Sequence, residues 1–215
     1  MMTAYLVAVS IVVLIYLLLS LGLTIQYGLT GLINFGVVGF FAIGAYTSAL
    51  LSLQGVPLWG SFLLAAVVAG VFAWPIGLVA TRLRDDYFAI VTLGFSETVR
   101  LVIVSEVWLT KGVHGVTGVP PLFQGAGGSA SLMTLGLLVA VNVAVILILR
   151  VIVRSPFGRA LEAVRDDETA FTALGKSPTR FKVEVLILGS MLGGLAGAFY
   201  GHYITYIVPD QFVPL

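Results

Sequence analysis

The sequence predicts an all-α protein: a polytopic transmembrane helix bundle of about six spans. Three observations predict it. First, 59% of the 215 residues are hydrophobic and 10% are charged, with a mean hydropathy of +1.09. An ordinary soluble domain carries about 25% charged residues, and a soluble fold this poor in charge could not solvate its own surface. Second, the first charged side chain is Arg82, so residues 1–81 carry none. Third, the chain holds 25 glycines. In water a helical Gly costs about 1 kcal/mol relative to Ala, but between helices in lipid it allows the close backbone approach that supplies packing energy. The apolar runs are continuous and do not alternate with period two, which excludes a β-barrel.

A hydrocarbon core of about 30 Å takes roughly 20 helical residues. The first span, near 4–25, has no basic n-region and no clear cleavage site, so it reads as a retained helix. Gln26-Tyr27-Gly28 marks its end. The second segment, 29–53, contains Gly28 at its edge and Gly31, Gly36, Gly39 and Gly44 within it. It reads as one span or as a broken or re-entrant segment. Gln54-Gly55-Val56-Pro57 precedes a third span near 61–80. Arg82 to Asp86 precedes a fourth near 87–107. A Gly-rich loop around Lys111 to Ser129 leads to a fifth near 131–152. The polar stretch Arg154 to Lys182 leads to a sixth near 183–207.

Nine of the eleven Lys and Arg residues fall at Arg82 and Arg84 or between Arg150 and Lys182. The positive-inside rule places both groups in the cytoplasm. The loop 108–130 and, counting back, the N-terminus are then expected outside. Trp59, Trp74 and Trp108 fit interfacial anchoring, and Trp74 fits interior packing equally. A net charge of +1 gives no electrostatic case for a nucleic-acid partner, and the absence of cysteine excludes disulfides and thiolate chemistry. His114 and His202 lack metal-ligand spacing. No catalytic grouping stands out, so no enzyme activity, metal or cofactor is expected of this chain.

The polar stretch 154–182 is the most informative part. Ser155-Pro156 starts a helix, since Ser caps and Pro suits the first helical position. Residues 156–174 then lack breakers apart from Gly158, and Gly175 is a C-terminal stop. Ser177-Pro178 starts the next helix. Leu161, Val164, Phe171 and Leu174 are spaced to share one face, and Arg159, Glu162, Arg165, Asp166, Asp167 and Glu168 supply a charged one. An interfacial helix lying on lipid headgroups is one reading. The mixed signs favour docking in a protein groove, because lipid-binding helices are usually rich in Lys and Arg. Gly175-Lys176-Ser177 imitates the end of a phosphate-binding loop, but the required upstream glycine is Ala170 and no strand precedes it.

Inside the spans, Gly189, Gly193, Gly197 and Gly201 recur at every fourth residue, a spacing that presents a smooth ridge for helix packing. Glu97 and Arg100, at i and i+3, can pair; they mark either a pathway or a structural pair near the membrane edge. Asn34 faces a cavity or bonds a neighbouring helix. Asn142 reads as structural glue.

Several stretches resemble the permeases of branched-chain amino-acid ABC importers, the LivM type. They are Gly28-Leu29-Thr30-Gly31-Leu32-Ile33-Asn34-Phe35-Gly36 with Phe41 to Tyr46, Leu83 to Phe95 with Glu97 and Arg100, Arg154 to Leu161 with Asp167-Glu168 and Ala173-Leu174-Gly175, and Leu195 to Tyr200. They run in family order from about residue 20 onward. Urea-transport permeases are similar along the same stretches. The resemblance implies a single transmembrane permease domain over 1–215 in the cytoplasmic (inner) membrane. It implies two ABC ATPase subunits, a second homologous permease and an extracytoplasmic solute-binding protein as partners. It also implies that Gly158, Arg159, Glu162, Arg165, Asp166, Asp167, Glu168 and Gly175 couple to an ATPase, within the cytoplasmic segment 154–182. Family members continue through further hydrophobic spans, so a chain ending at Leu215 is expected to be a truncated or partial product. An ion-coupled secondary transporter titrating Glu97 is a second class left open, and a structural membrane subunit or intramembrane enzyme is a third.

Overall fold

A computed structural model describes residues 2–80, 83, 85–124 and 129–213. Arg82 and Arg84, on which part of the sidedness argument rests, lie outside the described residues. The fold is an all-α polytopic bundle. In chain order the helices are α1 (Met2–Thr30), α2 (Val37–Leu53), α3 (Leu58–Ala80), α4 (Asp85–Ser105), α5 (Val107–Thr110), α6 (Ala130–Arg154), α7 (Pro156–Asp166), α8 (Glu168–Ala173) and α9 (Pro178–Ile204). Five of them, α1, α3, α4, α6 and α9, are long and apolar enough to cross a membrane. The apolar α2 has 17 residues, about 25 Å of helix.

The helices alternate in direction. At one end, the start of α1 meets the end of α9, where the Tyr203 hydroxyl donates to the Ala8 carbonyl at 3.5 Å. At the other end, Arg165 of α7 reaches the end of α1. Arg150, Arg154, Arg159, Lys176, Arg180 and Lys182 belong to the same end as Arg165, which is therefore basic. A two-residue ladder closes the opposite end: β1 (Val116–Thr117) pairs antiparallel with β2 (Tyr206–Ile207), Val116 opposite Ile207. The sequence carried no sign of this ladder.

The first break is not where hydropathy put it. Gln26, Tyr27 and Gly28 are helical and belong to α1. The chain leaves the helix at Gly31, in the left-handed region at φ +73°, and stays non-helical to Gly36. Gln26 ends no helix because its side chain finds partners inside the bundle, described below.

The central helix is α9. In its most apolar stretch 61% of residues are buried, against 28–39% in the other four long helices. Glycine makes this possible. The step of four residues turns about 40° beyond a full rotation, so the ridge walks around the helix. Gly189 meets α1, where a methyl would lie 2.6 Å from the Gly22 carbonyl oxygen. Gly193 packs beside Leu19 of α1 and Phe40 of α2. Gly197 meets the Phe41 carbonyl of α2, and Gly201 meets Ile207 of β2. Gly194, beside the ridge, meets Gly44 of α2 and Ala65 and Ala69 of α3. Backbones at this separation gain dispersion contacts that longer side chains would prevent.

Candidate functional site

Two features stand out: the break between α1 and α2, and the α7–α8 segment at the basic end. They adjoin each other.

At the break, Asn34 is 4% exposed. Its Nδ2 donates to Gln26 Oε1 at 3.0 Å, and its Oδ1 accepts the Gly36 amide at 2.8 Å. Gln26 Nε2 donates to the Leu186 carbonyl of α9 at 3.2 Å. From α4, Thr92 Oγ1 accepts the Phe35 amide at 3.1 Å and Ser96 Oγ accepts the Gly39 amide at 2.8 Å. These bonds place the start of α2 beside the third and fourth turns of α4, about 10 Å or more inside that helix's end. Non-helical backbone at this depth is tolerable only when protein groups satisfy it. Asn34 therefore bonds its neighbours with both ends of its amide. Gln26, Thr92 and Ser96 were missed by sequence reasoning. The legible signal was a Gln, and a Thr and Ser one turn apart, in otherwise apolar helices.

In the α7–α8 segment, Ser155 caps α7 by accepting the Gly158 amide at 3.3 Å, with Pro156 at the first position. The expected uninterrupted helix to residue 174 is broken at Asp167. Its backbone is extended, and its carboxylate accepts the Thr169 and Ala170 amides at 2.8 and 2.9 Å, starting α8. A carboxylate at this position satisfies two of the orphan amides of a helix start and favours the dipole. Leu161, Val164 and Phe171 are buried, as their spacing predicts, but Leu174 is 75% exposed. It follows the last turn of α8, where the chain turns away at Gly175 (φ +75°).

Arg159, Arg165, Asp166, Asp167 and Glu168 are exposed, and Glu162 is half-buried. Arg159 Nη1 donates to the Arg154 carbonyl at 3.1 Å. Glu168 pairs with the buried Lys182 of α9. Arg165 Nη1 donates to the Gly28 carbonyl of α1 at 2.6 Å, while Nε and Nη2 lie 3.3 Å from Asp166 Oδ1. Gly158 is buried against the Ile152 and Val153 carbonyls of α6, where a methyl would collide. It lets α7 fold back tightly and offers nothing to the surface.

Glu97 and Arg100 of α4 form a bidentate pair, with Nε to Oε2 at 2.9 Å and Nη2 to Oε1 at 2.5 Å. Elsewhere, a cavity of about 300 Å³ opens between α2, α3 and α4, toward the end opposite the basic one. Ile43, Thr47, Phe72, Phe95, Val99 and Val102 are among its walls, and Glu106 lies at its edge. Neither Asn34 nor the Glu97–Arg100 pair lines it. Asn142 of α6 donates to the Leu14 carbonyl of α1 at 3.2 Å. His202 joins Ser48 of α2 (2.8 Å) to the Pro120 carbonyl (2.7 Å). Trp59, Trp74 and Trp108 are 64%, 56% and 81% exposed, so Trp74 faces outward and does not pack inside.

A family model described as the branched-chain amino acid transport system / permease component matches residues 5–215. The chain belongs to that permease family. It is 35% identical, over 96% of its length, to the high-affinity branched-chain amino acid transport system permease protein LivM of Salmonella typhimurium, and covers 54% of that protein. It is 25% identical, over 92% of its length, to the probable branched-chain amino acid transport permease protein LivM of Methanocaldococcus jannaschii, covering 67% of it. The LivH permease protein of Salmonella typhimurium is 28% identical over 90% of the chain, with 68% of LivH covered. This permease-family chain thus spans about half the length of the Salmonella LivM it matches. No solved structure matches it. Membership and the five long apolar helices make it a multi-pass membrane protein.

Proposed function

We propose that the chain is the transmembrane permease subunit of an ABC importer that moves branched-chain or other small amino acids across the inner (cytoplasmic) membrane. ATP hydrolysis belongs to separate ATPase subunits, a second homologous permease completes the pathway, and an extracytoplasmic solute-binding protein delivers the substrate. The basic end is cytoplasmic by the positive-inside rule. In this reading 154–182 is the coupling segment of one permease domain.

One observation carries the reading. The α7–α8 pair buries Leu161, Val164 and Phe171 and, at the basic end, leaves Arg159 and Asp166 exposed and Glu162 half-exposed. A mixed-charge face backed by a rigid apolar one suits docking on a protein partner, where paired charges set register. An ATP-driven change in that partner then biases the bundle between inward-open and outward-open states. Glu97 is engaged by Arg100 through two hydrogen bonds, an arrangement that speaks against a freely titrating carboxylate in an ion-coupled carrier.

The test is reconstitution with the ATPases and the binding protein in lipid vesicles. Reversing the charge at Arg159 and Glu162 together is expected to abolish stimulation of ATP hydrolysis while membrane insertion is retained. Unchanged stimulation, or uptake that stops with a protonophore while ATP stays high, would refute the proposal.

A further inference from the structure

We propose that Arg165 is a positioning residue that ties the α7–α8 segment to the break between α1 and α2, and so carries movement of α7 to the start of α2. This rests on the coupling role proposed above. The residue types explain the tie. A helix that ends leaves its last carbonyls without amide partners. The Tyr27 carbonyl is taken by the Gly31 amide at 2.9 Å. The next carbonyl, Gly28, accepts from Arg165 at 2.6 Å. A guanidinium suits this place because cations are favoured at helix C-termini, and its planar fork serves two acceptors at once. The second acceptor is Asp166, which holds the same guanidinium from its far edge.

The contact adjoins the break itself. The Arg165 stem passes beside Gly31, where a methyl would sit 3.6 Å from its Cγ. The last turn of α1 joins this contact to a second group of bonds. The Thr30 hydroxyl donates to the Gln26 carbonyl at 2.7 Å. The Gln26 side chain holds Leu186 of α9 and Asn34, and Asn34 holds the Gly36 amide, from which α2 starts. The α7 residues buried here, Leu161 and Val164, make non-directional contacts. Arg165, itself exposed, is a polar link between the surface segment and the end of α1, three residues before the break.

Two measurements test this. The first is hydrogen exchange on the whole chain in lipid nanodiscs. Arg165→Ala is expected to raise exchange of amides 31–36 about tenfold, the effect of losing one charged hydrogen bond, and to leave the Val116–Ile207 ladder unchanged. Arg165→Lys, which keeps a charged donor, should recover most of the protection. The second is uptake and ATP hydrolysis in the reconstituted complex. Arg165→Ala should lower uptake per ATP about tenfold through the turnover number, with KM for the loaded binding protein unchanged; ATPase stimulation stays if Arg165 positions the break and falls if it touches the ATPase, the role the family resemblance implies. Protection at 31–36 that stays at its original level overturns the proposal, and so does exchange that rises across the whole bundle. Loss of ATPase stimulation would make Arg165 a partner contact and overturn it as well. If 31–36 responds but no α7 substitution affects ATP hydrolysis, the tie stands and the coupling role falls.

Discussion

Gly197 of α9 lies against the main-chain carbonyl of Phe41 in α2 so closely that no side-chain carbon fits between them. The same helix meets Gly22 of α1 through Gly189, and Gly44 of α2 through Gly194. Gly197→Ala must therefore push two backbones apart. Overpacking of this kind costs about 1–3 kcal/mol. Gly136 of α6 has open space where its methyl would go, so Gly136→Ala is expected to be neutral or slightly stabilising through helix propensity. Thermal unfolding of the two variants in the same detergent checks the contrast; equal melting temperatures would contradict it.

Asn34→Ala removes the partner of Gln26 Oε1 and of the Gly36 amide together. Leaving a buried polar group unsatisfied costs about 1–3 kcal/mol each. The expected loss exceeds that of Gln26→Ala, which strands the Asn34 side-chain amide but no backbone amide of the break, while the Leu186 carbonyl keeps its partner within α9. Unfolding midpoints of both single variants and the double variant check this. Because the two residues share a hydrogen bond, the double loss should fall short of the sum.

Glu97→Gln leaves Arg100 charged within an apolar helix. Removing one partner leaves the other's charge in an apolar span without its hydrogen-bonded counter-ion, whereas replacing both removes the charge from the span. Expression and stability are expected to rank wild type first, then Glu97→Gln/Arg100→Gln, then Glu97→Gln. If the double variant still supports uptake in vesicles, the pair is structural; abolished uptake in a folded double variant would return it to the pathway.

Asp167→Ala removes the cap of α8 and should cost about 1 kcal/mol, whereas Asp167→Asn keeps an acceptor and should cost a few tenths. Circular dichroism cannot resolve six residues in this background. Exchange rates of the Thr169 and Ala170 amides can, and they should rise in the alanine variant alone.

Much of the architecture was legible from hydropathy and breakers. The expected span 131–152 lies inside α6, and 61–80 matches α3 to within three residues at its start. Ser155-Pro156 and Ser177-Pro178 begin helices as read. The misplaced boundary at Gln26 has a tertiary cause. A glutamine in an apolar run looks like an exit to water until Leu186 and Asn34, 160 and eight residues away, are known to bond it. The kink at Asp167 has a local cause that periodicity hides. Asp tolerates a helical pattern on paper, yet its carboxylate competes for backbone amides and stops one helix to start another. Arg165 is exposed, as its charged neighbours suggest, yet it also bonds a main-chain carbonyl, which no sequence pattern displays. The LivM-type resemblance located the α7–α8 segment but could not separate the side chains that face outward from those held within the chain.

The glycine-lined surfaces of α9 have a mechanical consequence. Helices α1, α2 and α3 are each joined to α9 at main-chain distance, so these four resist relative displacement. By contrast, α4 is held chiefly through α2, and α6 chiefly through α1. Interlocked backbones neither slide nor tilt without losing contact along their whole length. Rearrangement in this molecule is therefore cheapest where such interlocking is absent: in α4, in α6, and in the non-helical stretch 31–36 with the first turn of α2, which precedes the closest approaches at Phe41 and Gly44.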